Sequence, residues 1–562
     1  MVDTVVDTAR TTFAAPESLA SRHTNGYLTS LSDEAWQRVR NRARRQAYAH
    51  LDPTTNYPQS ALWMYDNLQP VLTCPHMERV TSDGGLDDGG KWLCDPYRLG
   101  ELDSCLIYSI GSNGQYGFED TLAERFDNRC EIHVFDPGSF DRPTENPPRN
   151  IHFHPWGLKA SVEASVNPVL MQKDKNMGKL QFKSFPEILK ALGHEHRTID
   201  VFKIDCELCE WTSIGDWIHG NIRQIQVEVH GHNKPVPPTG FFDSFRANNF
   251  ILFSKEKNIL PPENIKHIGF YEYSFLKVTD EFWEDSREIK ALQSYRDSGG
   301  LLNDISDESW ERMKDRIRRD QRYTVDPAHI GGKVKDHEWY MWNVLPNFAC
   351  TDMERVGGLG EGPKWVCNPH RLGPDCLVYA FGSIPRFERA LPSRCEIHVF
   401  DPIAEAPPFE YNHVQYHKWG LSSSYDAEYN ARQKESDGSF KTFQDTRQAL
   451  GHESRSIDIL SLDCDGCEWY VFVVMACLWT MLTPSHRATA RDWIGSGARQ
   501  ILVETHNLPH SSPGVRDETK IHEYFDSFQK QGYALFSKEM KPEYINVEWS
   551  YLKLDDTFWE SR

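Results

Sequence analysis

The sequence lacks any run of apolar residues long enough to cross a membrane as a helix. Its longest uncharged apolar stretch, residues 470–484, is shorter than the ~20 residues that a bilayer requires, and it lies between two predicted strands of one sheet. The first 21 residues also lack the basic segment and apolar core of a secretory signal. We therefore expect no membrane partner and a cytoplasmic protein.

An excess of basic residues is also absent. Lys and Arg number 62 against 82 Asp and Glu, which gives a formal net charge of −20. A protein that binds a polyphosphate backbone carries the opposite balance, so we expect no nucleic-acid partner. The local run of arginines from Arg38 to Arg45 falls on a predicted helix, and we interpret it as a solvated helix face.

The sequence does contain two copies of one unit, which is the feature that organises the whole chain. The octapeptide CEIHVFDP occurs unchanged at residues 130–137 and 395–402. KWLCDPYRLG at residues 91–100 returns as KWVCNPHRLG at residues 364–373. The chain is therefore predicted to be a tandem duplication.

The repeat also predicts the domain boundaries. We expect a disordered tail at residues 1–26, a first domain at residues 27–292, a linker at residues 293–300 and a second domain at residues 301–562. In each domain the region ahead of the first long strand is predicted to be a helical lead-in followed by a glycine-rich loop, which serves as a lid or cap.

Within each unit, short apolar runs alternate with stretches of helical spacing. In the first unit the predicted strands are residues 106–110, 132–135, 151–153, 199–204, 224–229, 250–254 and 271–278, and the predicted helices are 118–126, 185–192 and 241–248. This alternation predicts an α/β fold, with a Rossmann-like doubly wound sheet in each repeat and ligands at the carboxyl ends of the strands. The two last strands suggest a hairpin that places one antiparallel strand at the sheet edge.

A glycine-rich loop follows the first long strand. Gly111, Gly114 and Gly117 permit positive φ and a close approach of backbone N–H groups to a ligand. The next strand ends at Asp136, whose carboxylate can accept hydrogen bonds from ribose hydroxyls. The pattern predicts a site for a nucleoside-containing cofactor. Asn113 stands where the dinucleotide fingerprint has its second glycine, which weakens an NAD-dependent oxidoreductase as an alternative without excluding it.

The order of these motifs resembles the class I S-adenosylmethionine-dependent methyltransferases, and more narrowly the methyltransferase-like domain family related to the FkbM-type O-methyltransferases. The resemblance is carried by CPHMERV, GGKWLCDPYRL, YSIGSNG, EIHVFDP, HPWGL and KIDCE and extends over both units. It implies S-adenosylmethionine as the cofactor, with these residues around it: Gly111, Ser112, Asn113 and Gly114 at the methionine part, Asp136 at the ribose, Trp156 beside the adenine and Asp205 facing the same crevice. A packing role for Trp156 and a helix-capping role for Asp205 remain alternatives.

Two residues at the end of a later strand are candidates for the chemistry. Methyl transfer requires alignment of the reacting groups and, for a hydroxyl acceptor, a base. His230 is the expected base because its ordinary pKa suits that task, and Glu228 lies beside it. The second unit repeats the pair as Glu504 and His506. A histidine that only bonds a backbone carbonyl is the alternative.

The same edge of the sheet also carries a possible set of metal ligands. The set is Asp205, Glu207, Glu228 and His230 in the first unit, and Asp463, Asp465, Glu504 and His506 in the second. Such oxygen-rich clusters can hold a divalent cation. Spacing alone does not separate a metal site from a hydrogen-bond network, so we assign no metal.

The 13 cysteines raise a separate question. Cys206 and Cys209 have the Cys-x-x-Cys spacing of redox and zinc sites. Each unit has one such pair and no second pair at the distance of a zinc ribbon, so we interpret them as small buried residues. Cys74 and Cys94 could bridge in an oxidising compartment, but without a secretory signal we expect thiols.

The second unit departs from the first around its predicted cofactor loop. Its connection between the loop and the next strand, residues 384–394, is six residues shorter than residues 113–129 of the first unit. Pro385 removes one N–H donor there, and residues 470–491 form an insertion. We therefore expect the first repeat alone to bind the cofactor, and the second to pack against it as half of an intramolecular pseudo-dimer.

The predicted function is methylation, most simply of a hydroxyl group on a small molecule or glycan, by the first repeat. Two alternatives remain open: an NAD-dependent oxidoreductase, and a non-catalytic binding protein on a decayed methyltransferase fold.

Overall fold

The computed structural model describes two α/β domains in one chain. The described residues are 19–46, 64, 67–82, 89–138, 150–161, 180–206, 208–230, 239–257, 270–283, 309–313, 344–382, 386–402, 413–422, 439–464, 493–506, 518–540 and 546–554. The predicted linker and the insertion at residues 470–491 lie outside them. Within these ranges no helix is long and apolar enough to span a membrane.

The first repeat begins with a lead-in of helices and a small antiparallel sheet and continues as alternating strands and helices. The lead-in consists of α1 (Leu19–His23), α2 (Asp33–Gln46), β1 (Glu78–Val80), β2 (Lys91–Leu93) and a 3-10 helix (Pro96–Glu101). The main body follows as β3 (Cys105–Ile110), α3 (Gly117–Arg125), β4 (Cys130–Phe135), β5 (Ile151–His154), β6 (Trp156–Leu158), β7 (Gln181–Lys183), α4 (Phe185–Leu192), β8 (Ile199–Ile204), α5 (Cys209–Trp217), β9 (Ile222–His230), α6 (Thr239–Ala247), β10 (Phe250–Lys257) and β11 (Phe270–Lys277).

Seven of these strands form one sheet in the order β10-β11-β9-β8-β3-β4-β5. β3 pairs in parallel with β4 and β8, and β8 pairs in parallel with β9. The predicted α/β fold with a doubly wound sheet is therefore confirmed. The predicted place of the antiparallel strand was wrong: β11 pairs with both β9 and β10, so it is second from the edge. β10 does not pair with β9, and β11, the next strand in the chain, lies between the two and pairs with both.

Side chains from the central strands enter two cores, one on each face of the sheet. Leu106 and Tyr108 of β3 pack on one face in the same cluster as Phe185 of α4. Ile107, between them in the strand, packs on the other face in the cluster that contains Leu122 of α3. All six residues of β3 are buried, as expected for a parallel strand covered on both faces.

The lead-in packs on the sheet and is not a lid. Trp36 and Val39 of α2 lie in one buried cluster with Ile251 and Phe253 of β10. Of the two predicted roles, lid or cap, the packing of this helix agrees with a cap on the core. Its apolar face completes the core beside β10, where the sheet would otherwise expose apolar side chains to water.

Two arginines of α2, Arg40 and Arg42, are buried and do not belong to a solvated face. Arg40 is 1% exposed, and its guanidinium donates to the backbone oxygens of Phe282, at 2.6 Å, and Glu281. Arg42 is also buried and pairs with Asp352 of the second repeat. These partners are distant in sequence, which is why charge spacing alone gave the wrong interpretation.

The second repeat has the same architecture. Its elements are β12 (Met353–Val356), β13 (Lys364–Cys367), a 3-10 helix (Pro369–Arg371), β14 (Leu377–Phe381), α7 (Arg386–Ala390), β15 (Glu396–Phe400), β16 (Val414–His417), β17 (Trp419–Ser422), β18 (Ser439–Thr442), α8 (Phe443–Ala449), β19 (Ile459–Leu462), β20 (Gln500–Thr505), α9 (Glu518–Lys530), β21 (Tyr533–Met540) and β22 (Val547–Lys553). The sheet order β16-β15-β14-β19-β20-β22-β21 reproduces that of the first repeat, so the duplication includes the whole sheet.

The two repeats contact each other through their lead-ins and their hairpin edges. Ser309 Oγ lies 2.6 Å from His76 Nε2, and the Arg42–Asp352 pair crosses the same boundary. A cavity of about 140 Å³ is lined by both repeats, including Phe242, Phe245 and Trp365. The repeats therefore pack within one chain, in agreement with an intramolecular arrangement.

Cysteines are paired as disulfides in the described part of the chain. The pairs are Cys74–Cys94, Cys105–Cys130, Cys206–Cys209, Cys350–Cys367 and Cys376–Cys395. The expectation of thiols for Cys74 and Cys94 was wrong in this structure. That expectation depended on compartment, whereas the pairing depends on geometry: Cys105 and Cys130, for example, face each other across β3 and β4.

A buried histidine network connects strands β4 and β5. Nδ1 of His133 lies 2.8 Å from Nε2 of His154, and Nε2 of His133 lies 2.8 Å from Glu131 Oε1. The other oxygen of Glu131, Oε2, pairs with Arg197. Burial lowers the pKa of His133 from 6.5 to about 4, although the neighbouring Glu131 opposes the shift. Burial and the charge of His133 likewise lower the pKa of His154 to about 4.

These histidines predict a loss of stability in acid. Between pH 6.5 and about 4 the unfolded chain protonates His133 while the folded chain does not, so folding becomes less favourable as the pH falls. We expect the thermal midpoint, measured by circular dichroism, to decrease over this range. A His133→Phe variant should show a flatter decrease, and an unchanged slope in that variant would contradict the assignment. In the second repeat, burial also lowers the pKa of His417 to about 4. His417 therefore accounts for part of the decrease that remains in the variant.

Candidate active site

Four neighbouring parallel strands end at one edge of the first sheet and bring the predicted site residues together. The glycine loop follows β3, Asp136 follows β4, Asp205 follows β8, and His230 ends β9. Because the strands are parallel and adjacent, their carboxyl ends form a single crevice, as is usual in doubly wound folds.

The loop after β3 requires glycine at its first position. Gly111 has φ of +78°, and a Cβ atom there would lie 1.7 Å from the backbone oxygen of Asp205. Asn113 also has positive φ, 47°, and is followed by Gly114 at 76°. The loop therefore turns sharply against the end of β8, in the left-handed conformation that its glycine and asparagine residues tolerate.

Asp136 holds this loop in place. One carboxylate oxygen accepts hydrogen bonds from the backbone N–H of Ser112, at 3.1 Å, and Asn113, at 2.8 Å. The other oxygen accepts from the N–H of Gly138 at 2.8 Å. A carboxylate offers about four acceptor positions, so one stays available for a ligand hydroxyl. Asp136 thus organises the loop whether or not it also binds a ribose.

The loop contains a buried hydroxyl that suits a ligand. Ser112 is 5% exposed, and its Oγ has no hydrogen-bond partner among the described residues. A buried polar atom without a partner is costly. A polar group of a bound cofactor would remove that cost, so the residues present fit the cofactor that the motifs imply.

Trp156 lies near the crevice, but other side chains cover its ring. His154 stacks on it with ring centroids 4.7 Å apart, and the Lys183 ammonium lies 4.6 Å from the ring centre. The second repeat has the same arrangement, with His417 and Lys441 on Trp419. These contacts compete with an adenine for the indole and favour the packing role.

A buried lysine lies at the centre of the crevice. Lys91, from β2 of the lead-in, is 1% exposed and bonds Glu272 of β11. Its Nζ lies 3.5 Å from Asp205 Oδ2 and 3.7 Å from Glu228 Oε2. Three carboxyl groups therefore surround one ammonium.

The charges of this cluster shift one another's pKa. Burial would lower the pKa of Lys91, but the three acids raise it above its usual value. Burial raises the pKa of Glu228 well above its usual value, and the charges of Asp205 and Glu272 raise it further. Burial opposes ionisation of Asp205 as well, yet Lys91, Lys203 and His230 together hold its pKa below the usual range. Asp205 is thus the ionised member and Glu228 the one that readily holds a proton.

His230 is oriented by a buried glutamate. Oε1 of Glu210, a residue of α5 with no exposed surface, lies 2.9 Å from His230 Nδ1 and accepts the His230 backbone N–H at 3.0 Å. Nε2 of His230 lies 3.9 Å from Asp205 Oδ1 and 3.8 Å from Glu228 Oε1. With Nδ1 protonated toward Glu210, Nε2 is the basic nitrogen, and it lies on the side of Asp205 and Glu228.

Three residues of this site were missed by the sequence interpretation: Lys91, Glu210 and Glu272. A signal for them existed in the repeat, since Lys91 begins the duplicated KW motif and Glu272 has an equivalent in Glu548. In the second repeat Lys364 Nζ lies 2.9 Å from Asp463 Oδ2 and 3.5 Å from Glu504 Oε2, and it also bonds Glu548.

The predicted metal ligands are only partly assembled. Ligand atoms of Asp205, Glu228 and His230 lie within 4.8 Å of one another, while Glu207 lies outside the described residues. The Lys91 ammonium already neutralises two of these acids. A divalent cation would have to displace it, so the geometry favours a hydrogen-bonded charge cluster.

The second repeat differs where the cofactor loop would be. Gly382 keeps the positive φ of Gly111, 62°, but residues 383–385, including Pro385, lie outside the described part. The helix that follows, α7, has five residues, whereas α3 has nine. The six residues missing from this connection in the sequence thus correspond in part to a shorter helix.

Comparison with known proteins agrees with this arrangement. A family described as methyltransferase domain matches residues 18–277 and again residues 292–553. No curated protein matches the chain. Among solved structures, one from Streptococcus agalactiae, described as a protein in the NADB-Rossmann superfamily, is 10% identical over 40% of this chain and 84% of its own length, with a TM-score of 0.16. A similarity this weak says nothing about the function of the chain. Because the family matches cover most of the sequence, the chain belongs to the methyltransferase domain family, in two tandem copies.

Proposed function

We propose that the first repeat is an S-adenosylmethionine-dependent methyltransferase that methylates a hydroxyl group of a small molecule or glycan. The observation that supports this most is the convergence, at one edge of the sheet, of the Asp136-braced glycine loop and the Glu210-oriented His230. The first is suited to a nucleoside cofactor and the second to proton removal. In this proposal the two repeats are the domains predicted at residues 27–292 and 301–562. The helix α1 (Leu19–His23) also belongs to the first domain and not to a disordered tail.

In this proposal the chain binds the cofactor through the loop after β3. The backbone of Gly111, Ser112, Asn113 and Gly114 surrounds the methionine part, and the Ser112 hydroxyl gains the partner that it lacks. The remaining acceptor position of Asp136 receives a ribose hydroxyl. When bound, S-adenosylmethionine supplies an electrophilic methyl group on a sulfonium.

His230 then acts as the base for the acceptor hydroxyl. Nε2 takes the proton, while the Nδ1–H bond to Glu210 fixes the ring and stabilises the imidazolium. Asp205, 3.9 Å from Nε2, favours the charged ring further. Glu228 is a second proton carrier because its pKa is raised by burial.

The charge of the crevice narrows the class of acceptor. Asp205 is the ionised acid of the cluster and lies beside Nε2 of His230, so a carboxylate or phosphate of the acceptor placed there would meet repulsion. A neutral hydroxylated acceptor, as in a sugar or phenol, meets hydrogen-bonding groups without that cost.

Isothermal titration with S-adenosylhomocysteine and with NAD tests the proposal. We expect S-adenosylhomocysteine, the product form of the cofactor, to bind. We expect NAD not to bind, since Asn113 stands where the dinucleotide fingerprint has its second glycine. Binding of NAD alone would favour the oxidoreductase. Binding of neither would favour a non-catalytic binding protein.

The same titration is expected to find one cofactor site per chain. The six residues missing after Gly382 remove loop backbone that would approach the ligand. Asp136→Ala should abolish the single site, while Asp401→Ala, the matched change in the second repeat, should leave it. A stoichiometry near two that falls to one in Asp401→Ala would contradict the asymmetric proposal.

A further inference from the structure

The Cys206–Cys209 disulfide lies between two residues of the candidate active site. Its Cα atoms are 5.5 Å apart, and it directly follows Asp205 and directly precedes Glu210. Leu208, inside the loop that it closes, has a φ of 93°, an uncommon conformation for leucine that a closed loop helps to hold.

This disulfide loop contacts both halves of the site. On the cofactor side, Cys206 Cα lies 3.5 Å from the position that a Cβ on Gly111 would take. On the base side, Glu210 accepts the backbone N–H of Leu208 at 2.8 Å through Oε2 and approaches His230 Nδ1 at 2.9 Å through Oε1. A change in the conformation of the disulfide loop would therefore affect both the glycine loop and His230.

The disulfide is also more accessible than the others. Cys206 is half-buried, whereas Cys74, Cys94, Cys105 and Cys130 are between 0% and 2% exposed. Cys464, which follows Asp463 in the second repeat, is half-buried and disulfide-bonded as well. Cys209 is itself 3% exposed, so Cys206 and Cys464 are the only described cysteines that are not buried. We expect a thiol in solution to react with their disulfides first.

We propose that Cys206–Cys209 is a redox modification site that controls the active site of the first repeat. The inference rests on the proposed function: the disulfide form holds Asp205, Glu210 and the glycine loop in register, and reduction by a thiol of the glutathione or thioredoxin class releases them.

The chemistry is a balanced thiol–disulfide exchange. A reductant thiolate attacks Cys206 Sγ, forms a mixed disulfide and expels Cys209 as a thiolate, which the N-terminus of the nine-residue helix α5 stabilises. A second reductant thiol then attacks the mixed disulfide and frees Cys206, and each cysteine ends with one proton. The reductant is oxidised to its own disulfide, and the protein gains two thiols. Glu210 Oε2, 3.7 Å from Cys206 Sγ, disfavours a Cys206 thiolate, so Cys209 is the better leaving group.

Differential alkylation tests the site itself. The intact chain is treated with increasing dithiothreitol without denaturant, alkylated with iodoacetamide and mapped by mass spectrometry. We expect Cys206 and Cys209 to be labelled at reductant concentrations that leave Cys74, Cys94, Cys105 and Cys130 unlabelled. Labelling of those four cysteines first, or of all six together, would overturn the proposal.

Titration with S-adenosylhomocysteine tests the control of the site. We expect the selectively reduced chain to bind about tenfold more weakly than the oxidised chain, the size of losing one or two oriented hydrogen bonds. A Cys206→Ser/Cys209→Ser variant should bind as weakly as the reduced chain, and its affinity should not change with dithiothreitol. Cys74→Ala/Cys94→Ala is the matched control, and its affinity should fall on reduction as that of the natural chain does.

The outcomes separate this inference from the proposed function. Equal affinity of the oxidised and reduced chains, with alkylation confirmed, would overturn redox control and leave the methyltransferase proposal intact. Failure of both forms to bind S-adenosylhomocysteine would instead count against the methyltransferase proposal, and with it the control proposed here.

Discussion

Replacing His230 with alanine is expected to lower the rate of methyl transfer by about 10²–10⁴-fold, the usual contribution of a general base. Affinity for S-adenosylhomocysteine should change little, since Gly111 and Asp136 lie on the other side of the crevice. The acceptor is first identified by incubating the protein with methyl-labelled cofactor and cell extract. Initial rates with that acceptor then give the loss.

A matched variant exists in the second repeat. His506 occupies the equivalent position and lies 3.7 Å from Asp463 Oδ1, so His506→Ala removes the same group from a repeat with a shortened cofactor loop. We expect that variant to keep the natural rate. Equal losses of rate and affinity in His230→Ala would instead identify His230 as a structural residue, and an equal loss of rate in His506→Ala would make both repeats necessary.

Glu210→Gln gives a graded test of the same arrangement. The amide keeps the size of the side chain but no longer stabilises an imidazolium as a carboxylate does. We expect a smaller loss of rate than in His230→Ala, together with a shift of the acidic limb of the pH–rate profile to lower pH, since that limb reports protonation of the base. A purely structural role for Glu210 would lower stability without moving that limb.

Much of the fold followed from the sequence because its strands are short, apolar and bounded by turns. The predicted strand at residues 199–204 and helix at residues 185–192 match β8 and α4 at both ends. The helix has a capping box, in which Ser184 accepts from Glu187 N–H and Glu187 accepts from Ser184 N–H. Local patterns of this kind need no partner from elsewhere in the chain.

The site was harder to predict because its contacts join distant segments. The repeat marks Lys91, but this residue lies far from Asp205 and Glu228 in sequence, and nothing in its neighbourhood identifies these acids as its partners. Asp136 was expected at a ligand, but the structure directs its carboxylate mainly to backbone N–H groups of Ser112 and Asn113. Such roles depend on how strands are paired, which periodicity does not specify.

The presence of the lysine cluster in both repeats shows that it does not depend on an intact cofactor loop. Lys364 contacts Asp463, Glu504 and Glu548 as Lys91 contacts their equivalents. In each repeat the lysine joins the lead-in strand to the carboxyl edge of the sheet. We therefore infer that the cluster stabilises the fold in both repeats, and that the first repeat uses the same residues for its chemistry as well.

Replacing Lys91 with methionine is accordingly expected to lower the free energy of unfolding by about 3–5 kcal/mol, the usual cost of removing one partner from a buried ion pair. Methionine keeps the length of the side chain, so the loss reports the missing charge more than a cavity. Asp205, Glu228 and Glu272 would remain buried without their main counter-ion. Urea denaturation followed by circular dichroism measures the change.

The pH dependence of this loss distinguishes charge from packing. The charge of Lys91 opposes the rise in the folded-state pKa of Glu228, so in the variant that pKa lies still further above its unfolded value. A carboxyl group whose folded pKa exceeds its unfolded pKa destabilises the protein above the unfolded value and ceases to do so as it becomes protonated. The deficit of Lys91→Met should therefore shrink as the pH falls from neutral toward about 4, where an unfolded Glu takes up its proton. Lys190→Met on α4 is the control and should show almost no loss, while a deficit in Lys91→Met that stays constant with pH would mean that packing, and not charge, holds the lead-in to the sheet.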